Sequence, residues 1–235
     1  MFKKDSKKNP LVFFTILLFI TTGCFDDTST TDPTINPSSN PTWQNVFTDT
    51  FTRSDTVDKN IGSNWTAQIS VIKILSNELY CSKAVSPSDD MGTALYTQSI
   101  TDNKIRITTK FRTNSYSKNQ SFIWARSDIS LSNAYVGCVD NTGKCAIYKV
   151  SGGVPAMLSS TPYTLLTNTT YIFEFVLDGS SLTFNVKNAT GDTIIETVTT
   201  TDSSYTTGYA GLMGGEKNEV EQPIYFSSFK IEAYK

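Results

Sequence analysis

The chain has 235 residues, of which 38% are hydrophobic and 18% are charged. Its 20 lysine and arginine residues nearly balance 22 aspartate and glutamate residues, and it contains no histidine. This composition is typical of a globular protein, and the lack of histidine excludes catalytic and metal sites that depend on imidazole.

The first 24 residues have the pattern of a bacterial lipoprotein export signal. Four lysines precede an apolar run at 11–20, and small residues then lead to Cys24. A helix over this run would span about 15 Å, too short to cross a hydrocarbon core of ~30 Å, and the run fits a cleaved signal peptide. We expect cleavage after residue 23 and acylation of Cys24, although Thr21 stands where the usual pattern has leucine. The alternative is an ordinary secretory signal in which Cys24 is incidental.

Residues 24–41 are predicted to be a disordered linker. They are rich in serine, threonine, aspartate and proline, and at most about 50 Å of extended chain would separate the anchor from the folded part. Without residues 1–23, which contain four lysines and one aspartate, 16 basic and 21 acidic residues remain, a net charge of −5. This charge predicts no binding to nucleic acid or to anionic lipid, so membrane attachment would come from the acyl chains.

Residues 42–235 are predicted to form one all-β domain. Apolar and polar residues alternate in 105–112, 171–177 and 182–187, which is the period of half-buried strands. Turn-forming clusters follow at short intervals, and the apolar residues of the last strand shift phase near Ser227 and Ser228, which predicts a β-bulge. About twelve or more strands at this spacing indicate a two-sheet sandwich or a barrel.

Several sequence blocks, taken in order, resemble the concanavalin A-like lectin and glucanase jelly rolls, including bacterial laminin-G-like domains. The blocks are FTDTFTRSD…IGSNW (47–65), SFIWARSD (121–128), NAYVGCVDNTGKCAIYKVSGG (133–153), NTTYIFEFVLDGSSLTFNV (168–186), GYAGLMGG (208–215) and IYFSSFKIEAY (224–234). The resemblance implies an antiparallel jelly-roll sandwich with ligands on its concave face or edge loops. This fold carries both lectins and enzymes, so it does not choose between them.

An enzymatic function has no motif in its favour. Glycoside hydrolysis needs two carboxylates about 5–9 Å apart. Laminarinase-type relatives carry them as Glu-x-Asp-x-x-Glu, which this chain lacks, and the acidic cluster at 216–221 is expected to be a solvated loop. We therefore name no catalytic residue and keep a carbohydrate-active enzyme with scattered carboxylates as an alternative.

A binding function has candidate residues. Trp124 and Arg126 are predicted to share a face of one strand, and Tyr135 and Tyr148 lie on the next two strands. Sugars are bound by aromatic faces and by side chains that hydrogen-bond to hydroxyl groups. The alternative is that this strand's aromatic residues belong to the core and that Arg126 pairs with an acid.

The cysteines suit an exported protein. Cys138 and Cys145 flank a predicted four-residue hairpin loop and would face each other, so we expect a disulfide that contributes about 2.5 kcal/mol. Cys81 would then be a buried thiol. Pairing of Cys81 with either of the other two, or free thiols throughout, are the alternatives.

No cofactor is expected. The resemblance raises a structural Ca²⁺, because related domains often bind one with acidic residues of the first and last strands. Asp49 is a weak candidate from the first strand, but Ser227 and Ser228 stand where many relatives have an aspartate.

We therefore expect a lipid-anchored protein of the bacterial cell envelope, at the outer membrane or the surface. Its sandwich is predicted to bind glycans or extracellular glycoproteins. The alternatives are a glycoside hydrolase-like enzyme and a structural envelope protein without a small ligand.

Overall fold

The computed structural model describes residues 41–82, 91–115, 119–215 and 223–235, which form fifteen β-strands. They are β1 (Trp43–Asp49), β2 (Trp65–Ile69), β3 (Val71–Leu75), β4 (Glu78–Ser82), β5 (Gly92–Tyr96), β6 (Lys104–Arg112), β7 (Gln120–Ser127), β8 (Ala134–Val139), β9 (Lys144–Ser151), β10 (Val154–Pro162), β11 (Thr170–Asp178), β12 (Ser181–Lys187), β13 (Ile194–Thr201), β14 (Tyr209–Gly215) and β15 (Ile224–Tyr234). None of the described segments is a helix that could cross a membrane.

The strands form two antiparallel sheets that pack as a sandwich, which confirms the predicted fold class. Sheet A has the order β13-β12-β11-β6-β15-β4-β3, with β1 also paired to β15. Sheet B has the order β10-β9-β8-β7-β14-β5-β2. Neighbours in each sheet are often distant in sequence, so the chain passes repeatedly from one sheet to the other.

The main core lies between the two sheets. In β6, β11 and β12 the apolar residues of the predicted alternation point inward, and Phe173, Phe175 and Phe184 are fully buried. Gly137 of sheet B lies against this cluster, since a Cβ atom there would come within 2.4 Å of the Phe184 ring. A glycine on β8 thus allows the aromatic side chains of sheet A to approach sheet B closely.

The central strands of sheet B are also buried on their outer face. All residues of β7 and β8 are buried, whereas β6 of sheet A alternates between buried and half-exposed residues. The outward side chains of sheet B form a second apolar cluster, separate from the main core. Strands buried on both faces have apolar residues in succession, as in FIWA at 122–125.

The predicted irregularity in the last strand is confirmed. The pairing of β15 with β6 shifts between Phe226 and Ser228, so that Phe226 and Phe229 both point into the core. Thr109 donates a hydrogen bond to the carbonyl of Ser228 at 2.8 Å, which satisfies a main-chain group beside the bulge. The extra residue shifts the alternation of inward and outward side chains by one position.

The predicted disulfide is absent, because the β8–β9 hairpin has a different register. Asp140 N donates to the Lys144 carbonyl at 2.9 Å, and Gly143 has φ +77°, so the loop contains three residues and ends in a left-handed glycine. Val139 therefore pairs with Cys145, and Cys138 pairs with Ala146. The two thiols point to opposite faces of sheet B, and both are free and buried, as is Cys81.

The predicted signal peptide, Cys24, nearly all of the linker and the acidic cluster at 216–221 lie outside the described residues. Their assignments stay predictions.

Candidate functional site

A groove of about 570 Å³ lies on the outer face of sheet B. Its floor consists of side chains from β5, β7, β8, β9 and β14, and its ends are formed by the loops at 130–132 and 140–142. It coincides with the second apolar cluster.

The strand register arranges the floor in rows. Trp124 pairs with Val136, which pairs with Tyr148 on β9. In the next row Phe122 pairs with Cys138, which in turn pairs with Ala146. Directly paired residues of antiparallel strands project on the same side, so all of these side chains line one face.

Side-chain size explains why this face is hollow. On β8 the outward residues are Ala134, Val136 and Cys138, all much shorter than the rings of Phe122 and Trp124 on β7. Tyr148 rises on the opposite side from β9. The surface is therefore concave along β8, with the aromatic rings of β7 on one side and Tyr148 on the other.

Two hydrogen-bond donors at the groove have no partner among the described residues. Trp124 Nε1 and Gln120 Nε2 are buried, and neither donates a hydrogen bond to that part of the chain. An unsatisfied buried donor costs about 1–3 kcal/mol, and most such groups in folded proteins are satisfied. Both nitrogens have almost no exposed surface, so the acceptor oxygens of a ligand could reach them only after neighbouring side chains move.

Asp140 fixes one end of the groove. Its Oδ1 accepts hydrogen bonds from Thr142 N and Thr142 Oγ1 at 2.8 and 2.7 Å, and its Oδ2 accepts one from the Tyr148 hydroxyl at 2.8 Å. Burial, and then the hydrogen bond to Asp140, raise the pKa of Tyr148 well above its ordinary value. The phenol therefore stays protonated, and the tyrosine ring is held in place as a wall of the groove.

A second polar cluster shapes the other end. Asp128 accepts hydrogen bonds from Ser132 N at 2.8 Å and from Asn133 Nδ2 at 2.8 Å. Asn133 Oδ1 accepts one from Gly152 N at 3.2 Å, which ties this loop to the β9–β10 turn. Although burial acts in the opposite direction, these hydrogen bonds lower the pKa of Asp128, so it remains a charged acceptor that holds Ser130, Leu131 and Ser132 against the groove.

Of the four predicted binding residues, the structure brings only Trp124 and Tyr148 together. Arg126 does not share their face, because it has φ +48° at a bulge where the β7–β14 pairing shifts. Its guanidinium points to one end of the sandwich and donates to the carbonyls of Gly179, Tyr205 and Asn103 at 2.7–3.0 Å. Arg126 thus joins the two sheets rather than lining the groove.

Tyr135 belongs to the main core. Tyr135 pairs with Lys149, the residue after Tyr148 on β9. Successive residues of a strand point to opposite faces, so the Tyr135 ring points between the sheets. Its hydroxyl donates to Asp202 Oδ1 at 2.6 Å, and burial together with that hydrogen bond raises the pKa of Tyr135 to about 12.

Asp49 has internal partners for both carboxylate oxygens. Arg53 donates to both of them at 3.0 and 2.8 Å, and Trp65 Nε1 donates to Oδ2 at 2.7 Å. Burial alone would raise the pKa of Asp49, but these hydrogen bonds lower it below its ordinary value. The described residues contain no group of three or more side chains arranged as metal ligands.

Several groove residues were not predicted, namely Met91, Gln120, Leu131, Val136, Asp140 and Met213. Phe122 lies two residues before Trp124 on β7, so the two-residue repeat of a strand places it on the same face and could have added it. The others depend on which distant strands are neighbours, and a single sequence does not show that.

No protein-family model matches the chain, and no curated protein matches it in sequence. Solved structures do match. A carbohydrate-binding module, CBM66 from Bacillus subtilis, has a TM-score of 0.54 at 15% identity, with 73% of this chain and 96% of that chain covered.

Two other similar structures have the same architecture. The winged bean acidic lectin, complexed with methyl-α-D-galactose, has a TM-score of 0.57 at 15% identity and covers 83% of this chain and 100% of its own. A Bacillus subtilis protein with a galectin-like fold has a TM-score of 0.60 at 12% identity and covers 82% and 99%. The described domain therefore has the concanavalin A-like, lectin-type jelly-roll fold that the sequence resemblance implies.

Proposed function

We propose that this protein binds a glycan in the groove on the outer face of sheet B. The observation that carries the proposal is a trough between Trp124 and Tyr148 in which two buried donors have no partner among the described residues. Aromatic walls can stack on the C–H faces of a sugar, and Trp124 Nε1 and Gln120 Nε2 can donate to its oxygens once neighbouring side chains move to expose them. The lectin-type fold and the binding modules that share it support this assignment.

The groove favours an uncharged sugar. Among the described residues that line the groove, the charged one is Asp140. Its Oδ2 accepts one hydrogen bond from Tyr148 and keeps a free lone pair for a sugar hydroxyl. The same carboxylate repels sialic acids, uronic acids and phosphates. Met91, Met213 and Val150 add an apolar surface suited to the less polar face of a pyranose.

We further propose that the domain is held outside the cytoplasm by acyl chains on Cys24. The basic, apolar and small-residue pattern of 1–24 supports this placement, and so does the proposed capture of extracellular glycans. Metabolic labelling with a fatty acid tests it, because label should enter the wild type and be absent from Cys24→Ala. Equal labelling of the two proteins, or no label in either, contradicts it.

Glycan binding is tested by screening the full chain on an array of neutral and acidic glycans and then measuring affinity for the strongest neutral ligand. Trp124→Ala removes one aromatic wall of the groove, and we expect binding to weaken by about tenfold or more, which corresponds to about 1.4 kcal/mol. Trp43→Ala on sheet A removes the same side chain away from the groove and should bind as the wild type does.

Trp124→Phe separates binding from folding. It keeps an aromatic wall but removes the Nε1 donor, so we expect weaker binding with little change in the thermal unfolding midpoint. Failure of the full chain to bind any neutral glycan, or equal loss in Trp124→Ala and Trp43→Ala, overturns the proposal.

Hydrolysis remains the alternative activity. Incubation of the full chain with the polysaccharide that it binds, followed by assay for new reducing ends, tests this alternative. Release that is abolished by Asp140→Asn would favour an enzyme.

A further inference from the structure

The outer face of sheet A carries a concentration of positive charge that the whole-chain net charge of −2 conceals. Strand alternation sends the apolar residues of β6 inward and leaves Lys104, Arg106, Lys110 and Arg112 outward. Four of the five outward positions of this central strand are therefore cationic. At ~3.4 Å per residue the row is about 27 Å long.

Neighbouring strands extend this surface, which we call the basic face. Its outward cations are Lys73, Lys104, Arg106, Lys110, Arg112, Lys187 and Lys230, and its outward carboxylates are Glu78, Glu174, Asp178 and Glu232. Seven positive and four negative charges leave an excess of three positive charges on one side of an acidic protein.

The ion pairs on this face do not neutralise it. Glu232 is shared between Arg106 and Lys230 at 2.8 and 2.7 Å, so one carboxylate faces two cations. Lys110 has no ion pair with any described residue. The pairs of Lys104 with Asp178 and of Arg112 with Glu78 are partly exposed and therefore weak, so a multivalent anion can compete for these two cations.

Aromatic rings lie at both ends of the row. At one end Lys73, Tyr80, Tyr225 and Arg112 form a ladder across four adjacent strands, with Arg112 4.2 Å from the centre of the Tyr225 ring and Lys73 5.0 Å from that of Tyr80. At the other end Trp43 and Tyr234 make an edge contact, with ring centres 5.4 Å apart.

We infer that the basic face binds a linear polysaccharide that carries carboxylate groups. A row of cations, with aromatic rings beside the cations at both ends, matches a chain of sugar rings with regularly spaced acids, because sugar rings pack on aromatic side chains and carboxylates pair with lysine and arginine. An anionic bilayer would be attracted by the positive charge, but its binding does not require aromatic rings at the two ends of the row. This site is independent of the proposed groove and lies on the opposite sheet.

The test is retention of the full chain on immobilised polygalacturonate at low salt, with an uncharged polysaccharide as the comparison matrix. We expect retention on polygalacturonate alone and its loss at about 0.5 M NaCl, since exposed charges are screened over a few ångströms at that ionic strength. The double variant Lys110→Ala/Lys230→Ala should bind at least about fivefold more weakly.

The control is Lys144→Ala/Lys149→Ala, which removes two lysines of β9 in sheet B. Equal weakening by both double variants would show a response to net charge alone and overturn the inference, as would no retention at low salt. Retention on phosphatidylglycerol vesicles but not on polygalacturonate would assign the face to a membrane and also overturn it. Trp124→Ala should leave retention on polygalacturonate unchanged. The test of the basic face is therefore independent of the test of glycan binding in the groove.

Discussion

At the scale of single residues, Arg126 holds the two sheets together. Its guanidinium is buried and donates to three main-chain carbonyls, two of them in turns of sheet A at Asn103 and Gly179. Burial lowers the pKa of Arg126, yet arginine stays charged in proteins, so the carbonyls compensate an otherwise costly buried cation. A planar group with several donors suits this arrangement, which a lysine cannot reproduce.

Arg126→Lys should therefore lower the free energy of unfolding by about 2–3 kcal/mol, because hydrogen bonds to a charged group are lost and carbonyls are left without a donor. Urea unfolding of the full chain measures this change. Arg112→Lys, on the exposed end of β6, is the matched substitution and should change stability by less than about 0.5 kcal/mol. Equal effects at the two positions would show that Arg126 is not a structural clamp.

At the scale of elements, the alternation of polar and apolar residues was sufficient to predict an all-β sandwich or barrel, and the family resemblance indicated the sandwich. The alternation identified β6, β11 and β12 and the phase shift in β15, because one face of each strand of sheet A is solvated. Alternation is uninformative where both faces are buried, as in β7 and β8. The groove is built on those strands, so its lining could not be read from the pattern.

The register of paired strands was the second feature that the sequence pattern did not predict. A hairpin loop of three residues instead of four moves Cys145 from opposite Cys138 to opposite Val139, and a one-residue slip reverses the face of every side chain. A bulge at Arg126 had the same consequence for β7. Both errors come from backbone geometry with positive φ, which residue type alone does not specify.

The register of the β8–β9 hairpin predicts that the cysteines stay reduced. Non-reducing proteolysis and mass spectrometry of the full chain should yield peptides with free Cys81, Cys138 and Cys145. In the native state these thiols should react slowly even at alkaline pH, because burial raises the pKa of all three, that of Cys145 to about 12. A linked Cys138–Cys145 peptide in freshly purified protein would contradict the observed register.

At the scale of the whole molecule, charge is distributed by sheet. The cations are concentrated on the outer face of sheet A, whereas the groove on sheet B is apolar and has one carboxylate among its described lining residues. A net-charge estimate averages over these two faces. Net charge therefore predicts nothing about either face, whereas the alternation of 104–112 already places four cations on one side of a strand.

Several carboxylates should make stability depend on acid pH. Hydrogen bonds and ion pairs lower the pKa of Asp49, Asp128, Asp202 and Glu232 in spite of the opposing effect of burial. The unfolded chain therefore binds more protons at acid pH, and stability is lost as the pH falls below about 4, the ordinary pKa of these groups.

Urea unfolding of the full chain between pH 2 and pH 7 measures this dependence. Asp202→Asn should be less stable than the wild type at pH 7, because Tyr135 and Lys149 lose a charged partner. Its stability should also fall less steeply below pH 4. Identical slopes for the two proteins would show that Asp202 does not contribute.

The double burial of β7 and β8 has a consequence for amide hydrogen exchange. Amides in strands covered on both faces exchange only when the whole domain unfolds, while edge strands such as β10 and β13 exchange through local opening. A ligand in the groove would cover strands that already exchange at the global limit. Its binding should therefore slow exchange throughout the core by the factor 1 + [L]/Kd instead of leaving a local footprint, so exchange rates can report affinity without a probe in the groove.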